Sequence, residues 1–214
     1  HYNNIKRWNN RIKKYIKPCH KVCVIPFSFR TNDIPSNEVW KTFYSKEMGI
    51  YRHGLERMFL QFDIKKEQLT YINYFEDTPD SALKKCANSD IIYFTGGLPD
   101  KLYLRLQEFN LVDYLSHHDK IIMGDSAGAV IQFREYHLSP DADYSKFSYY
   151  TGLDMLKNFN IEVHYTGSIA QDESIHKVTA EKHIPVLALI DDSIIIAANN
   201  NITCLGSVKI SFPN

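Results

Sequence analysis

Ser126 stands in the run Gly124-Asp125-Ser126-Ala127-Gly128-Ala129, directly after the apolar stretch Ile121-Ile122-Met123. This Gly-x-Ser-x-Gly spacing lifts a serine onto a sharp strand-to-helix turn and exposes its hydroxyl. Gly124 and Gly128 let the backbone pass closely beneath the serine, while Ala127 and Ala129 keep bulk away from the reacting atom. The first amides of the following helix, that of Ala127 among them, have no intrahelical acceptor and point where an oxyanion would form. Such a turn suits acyl transfer through a serine nucleophile. Upstream, Gly96-Gly97 closes the buried run that begins at Asp90. Gly97 offers a second oxyanion amide with no side chain in the way, and a tight turn with positive φ would equally demand glycine there.

A serine hydroxyl is a weak nucleophile at neutral pH and needs a base. Of the nine histidines, His117 and His118 precede the Ser126 strand and fall at the opposite edge of a sheet, and His1 and His20 are peripheral. His164 closes the brief strand Ile161-Glu162-Val163-His164-Tyr165 and falls at the same edge as the serine. A carboxylate should hold its imidazole in the useful tautomer. Asp141 and Asp143, in the stretch between Ser126 and His164, are the candidates. Gly96 and Arg30 are the candidate substrate-binding positions, Arg30 as a positive charge for a carboxylate.

These residues must be carried by strands alternating with helices. Ile5, Trp8, Ile12, Tyr15 and Ile16 recur at helical spacing up to Pro18, and Lys21 to Phe27 reads as a strand buried on both faces. The loop from Ser28 to Pro35 carries Arg30 and Asp33. Glu38 to Phe62 reads as two helical pieces broken near Gly49 and Gly54, followed by a strand over Gln68 to Tyr74 and a helix over Asp80 to Ala87. After the strand ending at Gly96-Gly97, Pro99 opens a helix with Leu102, Leu106 and Phe109 on one face, and a short helical stretch covers Leu111 to His117. Beyond Ser126, Tyr136 to Tyr150 reads as a loop and Asp172 to Glu181 as a helix. Pro185 to Ile190 reads as a strand, and Ser193 to Ala198 with Asn201 to Leu205 as a hairpin turning at Asn199-Asn200. That rhythm predicts an α/β three-layer sandwich with a mostly parallel central sheet, and a single domain over residues 1–214. In such sheets ligands bind beyond the carboxyl ends of the strands, where the loop after Phe27, Gly96-Gly97 and Ser126 all fall.

Composition narrows the function further. The 214 residues are 44% hydrophobic, and Lys+Arg equals Asp+Glu at 25 each, so no basic or acidic excess invites a nucleic acid or a membrane surface. The chain has no apolar run long enough to span a bilayer, and its first seventeen residues are polar and basic rather than signal-like. Cys19, Cys23, Cys86 and Cys204 lack metal-site spacing and are expected as free thiols of a cytoplasmic protein.

Taken together, Thr95-Gly96-Gly97, the Gly124 to Ala129 elbow and Val163-His164-Tyr165 resemble the dipeptidase E and cyanophycinase family of serine peptidases. The resemblance covers most of the chain, from the Val22–Phe27 strand to the C-terminal hairpin. It implies a class I glutamine amidotransferase-like, flavodoxin-like fold, with serine where the amidotransferases carry cysteine. By position it implies Ser126 as nucleophile, His164 as base, and Gly97 and Ala127 as oxyanion donors. Asp141 lies near the triad aspartate of dipeptidase E, and the cyanophycinase carboxylate comes later, which keeps Asp143 open. Two departures bear on specificity: Leu98-Pro99 follows the double glycine where relatives carry Asn-Thr or Asn-Gln, and Gln171 to Lys177 contains none of the arginines relatives tend to carry there.

The expected activity is hydrolysis of peptide bonds in small peptides through a Ser126 acyl-enzyme, with no metal or organic cofactor. Two alternatives remain open at this point. One is a non-catalytic binding or sensor protein that keeps the fold; the other is a small esterase sharing Gly-x-Ser-x-Gly, for which His164 comes early after the serine.

Overall fold

Val22-Cys23-Val24-Ile25 is wholly buried, and its β-branched run extends as a strand because both faces of the pleat find apolar neighbours. In the computed structural model, which describes residues 5–117 and 119–213, this strand is β1. It pairs in parallel with β2 (Leu69–Tyr71) on one side and β3 (Ile91–Phe94) on the other, and β3 pairs in parallel with β4 (Ile121–Gly124). The sheet order is β2-β1-β3-β4. Chain direction across the sheet therefore reverses between β1 and β3, and the crevice beyond their carboxyl ends is the place where such sheets bind ligands.

The chain divides into two compact units, 1–129 and 130–214. In the first, helices flank the parallel sheet: α1 (Ile5–Ile12), α2 (Asn37–Tyr44), α3 (Ile50–Leu60), α4 (Pro79–Ala87), α5 (Pro99–Glu108) and α6 (Val112–Ser116). Local signals set their ends. Thr78 and Ser81 satisfy each other's amides at the start of α4, and Pro79 and Pro99 sit where a missing N–H does no harm. The expected break near Gly49 separates α2 from α3, whereas Gly54 lies inside α3, where it is buried. The second strand is shorter than the stretch from Gln68 to Tyr74, because Asn73 folds back onto Asp77 through its amide at 2.7 Å.

The second unit begins within α7 (Ala127–Val130), the short helix after the elbow. Its β7 (Asn160–Glu162) and β8 (Val186–Leu189) are parallel, and β11 (Val208–Ser211) adds antiparallel to β8. α8 (Ile169–Lys182) buries Ile175 and Val178 against Val186 and Ala188. β9 (Ile194–Ala198) and β10 (Asn201–Leu205) form the expected hairpin, with Asn199 and Asn200 at φ 52° and 60°, as a type I′ turn requires.

One expectation is corrected here, and one strand is added. The stretch Tyr136 to Tyr150 is no loop: β5 (Glu135–Leu138) and β6 (Ser148–Thr151) pair antiparallel, with Tyr136 stacked on Tyr150 at 5.7 Å. Cross-strand aromatic pairs hold this hairpin, and the turn-forming residues Pro140 to Asp143 only connect its strands. The final strand β11 went unforeseen because its alternation is brief. Among the described residues, no helix is long and apolar enough to cross a membrane, and no cluster of three or more His, Cys, Asp or Glu could hold a metal ion.

Candidate active site

Steric demand builds the serine turn. A Cβ at Gly124 would come 2.0 Å from the Gly128 carbonyl oxygen, and one at Gly128 would come 2.4 Å from the Phe94 carbonyl oxygen. Only glycine lets β3, β4 and the first turn of α7 approach this closely. Ser126 between them has φ 50°, the left-handed region that costs a residue with a Cβ about 1–3 kcal/mol. Two bonds close the turn: the Gly128 amide donates to the Asp125 carbonyl, and the Ala129 amide to the Ser126 carbonyl, both at 2.9 Å. The Ala127 N–H makes neither bond and stands at the first position of α7, where helix donors lack an intrahelical acceptor.

Gly96 and Gly97 border this turn. A Cβ at Gly96 would lie 3.4 Å from the Ser126 Cβ, so the glycine leaves the space beside the serine open. Gly97 has φ 139°, and a Cβ there would come 2.3 Å from the Ser28 carbonyl oxygen. Ser28 is the clamp on this second turn. Its buried hydroxyl lies 2.8 Å from Thr95 Oγ1 and 2.6 Å from the Gly96 carbonyl oxygen, and its own carbonyl accepts from the Leu98 amide at 2.7 Å. Arg105, buried on α5, fixes the segment on either side of Ser28 by donating to the Phe27 and Phe29 carbonyls and to Thr31 Oγ1. Its guanidinium lies 3.7 Å from the Phe29 ring centroid. Burial lowers the Arg105 pKa from its ordinary value, but arginine starts so high that it stays charged. Arg30 lies on the exposed outer part of the same loop, 3.9 Å from the Asp33 carboxylate.

His164, in the second unit, follows β7 and also has a left-handed backbone, φ 52°. Its Nδ1 lies 2.6 Å from Asp191 Oδ1. The spacing of the sequence points to Asp141 or Asp143 for this carboxylate, but the structure puts Asp191 at Nδ1. Strand pairing explains the difference: β7 and β8 are parallel neighbours, and His164 and Asp191 each lie two residues past the end of their strand. They therefore leave the sheet side by side, and the Tyr165 amide extends the ladder to the Leu189 carbonyl at 2.9 Å. Asp141 closes the turn between β5 and β6, where its Oδ1 accepts from the Asp143 and Tyr144 amides at 2.7 and 2.8 Å. Asp143 is exposed in that turn. His20 and His117 precede β1 and β4 at the amino ends of the sheet, and His1 and His118 lie outside the described residues.

A family model described as peptidase family S51 matches residues 9–205. The chain belongs to peptidase family S51. As an S51 member it is a serine-type peptidase. Its fold is similar to that of a proposed peptidase E protein from Listeria monocytogenes EGD-e, with a TM-score of 0.61 and 15% identity over 99% of this chain and 95% of that one. A peptidase from an acI-B1 actinobacterium is similar at a TM-score of 0.59 and 13% identity, over 98% of this chain and 84% of that one. At such identities the likeness concerns the fold alone. No curated protein matches the sequence.

Sequence reasoning about this S51 peptidase did not foresee the contacts that Ser28, Arg105 and Asp191 make. Asp191 had a signal: it follows the apolar run Val186 to Leu189, a strand of the type buried in parallel sheets, and carboxyl-end residues are where ligands bind. Ser28 and Arg105 had none, since a lone serine after a strand and a lone arginine in an amphipathic helix look like surface residues.

Proposed function

We propose that this S51 peptidase hydrolyses small peptides, dipeptides foremost, through an acyl-enzyme on Ser126. His164, with Nδ1 committed to Asp191, takes the serine proton at Nε2 as the hydroxyl attacks the peptide carbonyl. The amides of Gly97 and Ala127 hold the oxyanion. His164 then protonates the departing amine, and water releases the acyl group by the same steps in reverse order. The observation that carries the reading is the His164–Asp191 hydrogen bond at 2.6 Å, which fixes the tautomer a general base needs. The left-handed serine between two sterically required glycines adds to it. We further propose that the chain acts as one catalytic domain, which a family match spanning residues 9–205 supports, and in the cytoplasm, in keeping with four free cysteines.

A panel of dipeptides (Asp-X, Glu-X, β-Asp-Arg and neutral pairs) followed by release of free amine tests the substrate class. Cleavage of at least one pair is expected, and its identity names the pocket. A folded protein that cleaves none of them and releases acyl groups only from short-chain esters would contradict the peptide assignment.

Gly97→Ala tests the oxyanion role. The new methyl must displace Ser28 or the turn itself. Loss of one oxyanion donor costs roughly 100- to 1,000-fold in kcat. Steady-state kinetics should show that fall with KM nearly unchanged, and wild-type kcat in the folded variant would remove Gly97 from the mechanism.

A further inference from the structure

Beyond Asp191, the second unit holds His164 by its backbone. The device starts from a buried pair that the mechanism above does not use: His137 on β5 and Glu162 on β7, with His137 Nε2 2.8 Å from Glu162 Oε2. Both side chains are almost wholly enclosed, at 0% and 7% exposure. The carboxylate also accepts from Ser139 Oγ at 2.9 Å and, at its other oxygen, from Gln171 Nε2 at 3.1 Å. A buried carboxylate with three donors is a fixed point, because loss of any one leaves a costly unmet charge.

Gln171, in the first turn of α8, carries that fixed point to the His164 loop. Its Nε2 also donates to the His164 carbonyl at 3.1 Å. Its Oε1 accepts from the Thr166 amide at 3.0 Å and from Thr166 Oγ1 at 3.1 Å. The amide orientation is determined by its partners, since a flip would set oxygen against two oxygens and NH2 against an N–H. One side chain thus ties Glu162, His164 and Thr166 together across a left-handed residue.

We propose that Gln171, anchored on the buried His137–Glu162 pair, is the positioning residue that holds the His164 backbone in its left-handed conformation and so keeps the imidazole on Asp191. The proposal rests on His164 being the general base. It extends that reading to three residues with no part in the chemistry itself.

The test compares Gln171→Ala with Ser174→Ala, a buried hydroxyl on the same helix that bonds only within it, at 2.7 Å to the Ala170 carbonyl. Two quantities are read: kcat and KM on the preferred dipeptide, and the tautomer of the neutral His164 ring by long-range 1H–15N NMR. For Gln171→Ala, kcat should fall about 10- to 100-fold with KM within about twofold, the scale of a small misplacement of a catalytic group. The His164 ring should change from a single Nδ1–H form to a mixture. Ser174→Ala should lower the melting temperature without moving either reading. Wild-type kcat and a single tautomer in Gln171→Ala would overturn the proposal, as would equal kcat losses in both variants. If the wild type cleaves no peptide, the tautomer reading decides by itself: a mixture upholds the clamp and fails only the peptidase reading, and an unchanged tautomer overturns the clamp.

Discussion

Ser126→Ala should abolish peptide hydrolysis, with kcat lower by about a million-fold, the scale seen when the nucleophile of a serine hydrolase is removed. The residual rate comes from substrate binding and oxyanion stabilisation alone. The fold should survive unchanged, because alanine keeps the Cβ and the crowded contacts beneath it all involve glycines. Ser126→Gly sharpens the result. It is equally inactive, but it removes the Cβ from a residue at φ 50° and should raise stability by about 1 kcal/mol, a shift of a few degrees in melting temperature. An inactive, more stable Gly variant beside an inactive, unshifted Ala variant would identify strain stored at the serine for function. Activity retained in either variant would place the nucleophile elsewhere.

Asp191→Asn carries the second large effect. Asparagine keeps the size of the side chain, but its NH2 can face Nδ1 and hold the proton on Nε2, the wrong nitrogen for a general base. A drop of about 10,000-fold in kcat is expected from such a tautomer change, with KM nearly unchanged. Asp141→Asn should behave differently. Its Oδ1 still accepts the Asp143 and Tyr144 amides that close the β5–β6 turn, so kcat should stay within about twofold of wild type. A large loss in Asp141→Asn with a small one in Asp191→Asn would reverse the assignment. Steady-state kinetics on one preferred dipeptide distinguishes the two outcomes.

The contrast between those aspartates shows what the sequence could and could not convey. The serine turn was legible because its requirements are local: glycines must sit two positions either side of Ser126, and the flanking strand and helix are contiguous with it. The central strands were legible for a related reason, since a run such as Val22 to Ile25 can only be buried. The position of Asp191 after a buried strand was legible too, but its partnership with His164 was not, because that comes from the parallel pairing of β7 with β8, and pairing is not written in either strand alone. The β5–β6 hairpin was hidden by its connecting residues, whose turn chemistry extended in appearance over strands held by aromatic stacking. Gln171 fell just before the expected helix of Asp172 to Glu181, and its bonds to Glu162 and the His164 carbonyl join segments that no local pattern links.

The central claim is that Ser126 is an activated nucleophile, and one measurement bears on it without any choice of peptide. The wild-type protein is treated with a fluorophosphonate, digested, and mapped by mass spectrometry. A single stoichiometric adduct on the peptide containing Ser126 is expected, much slower to form in Asp191→Asn. A folded protein that takes up no label, or takes it at another serine, would contradict the account.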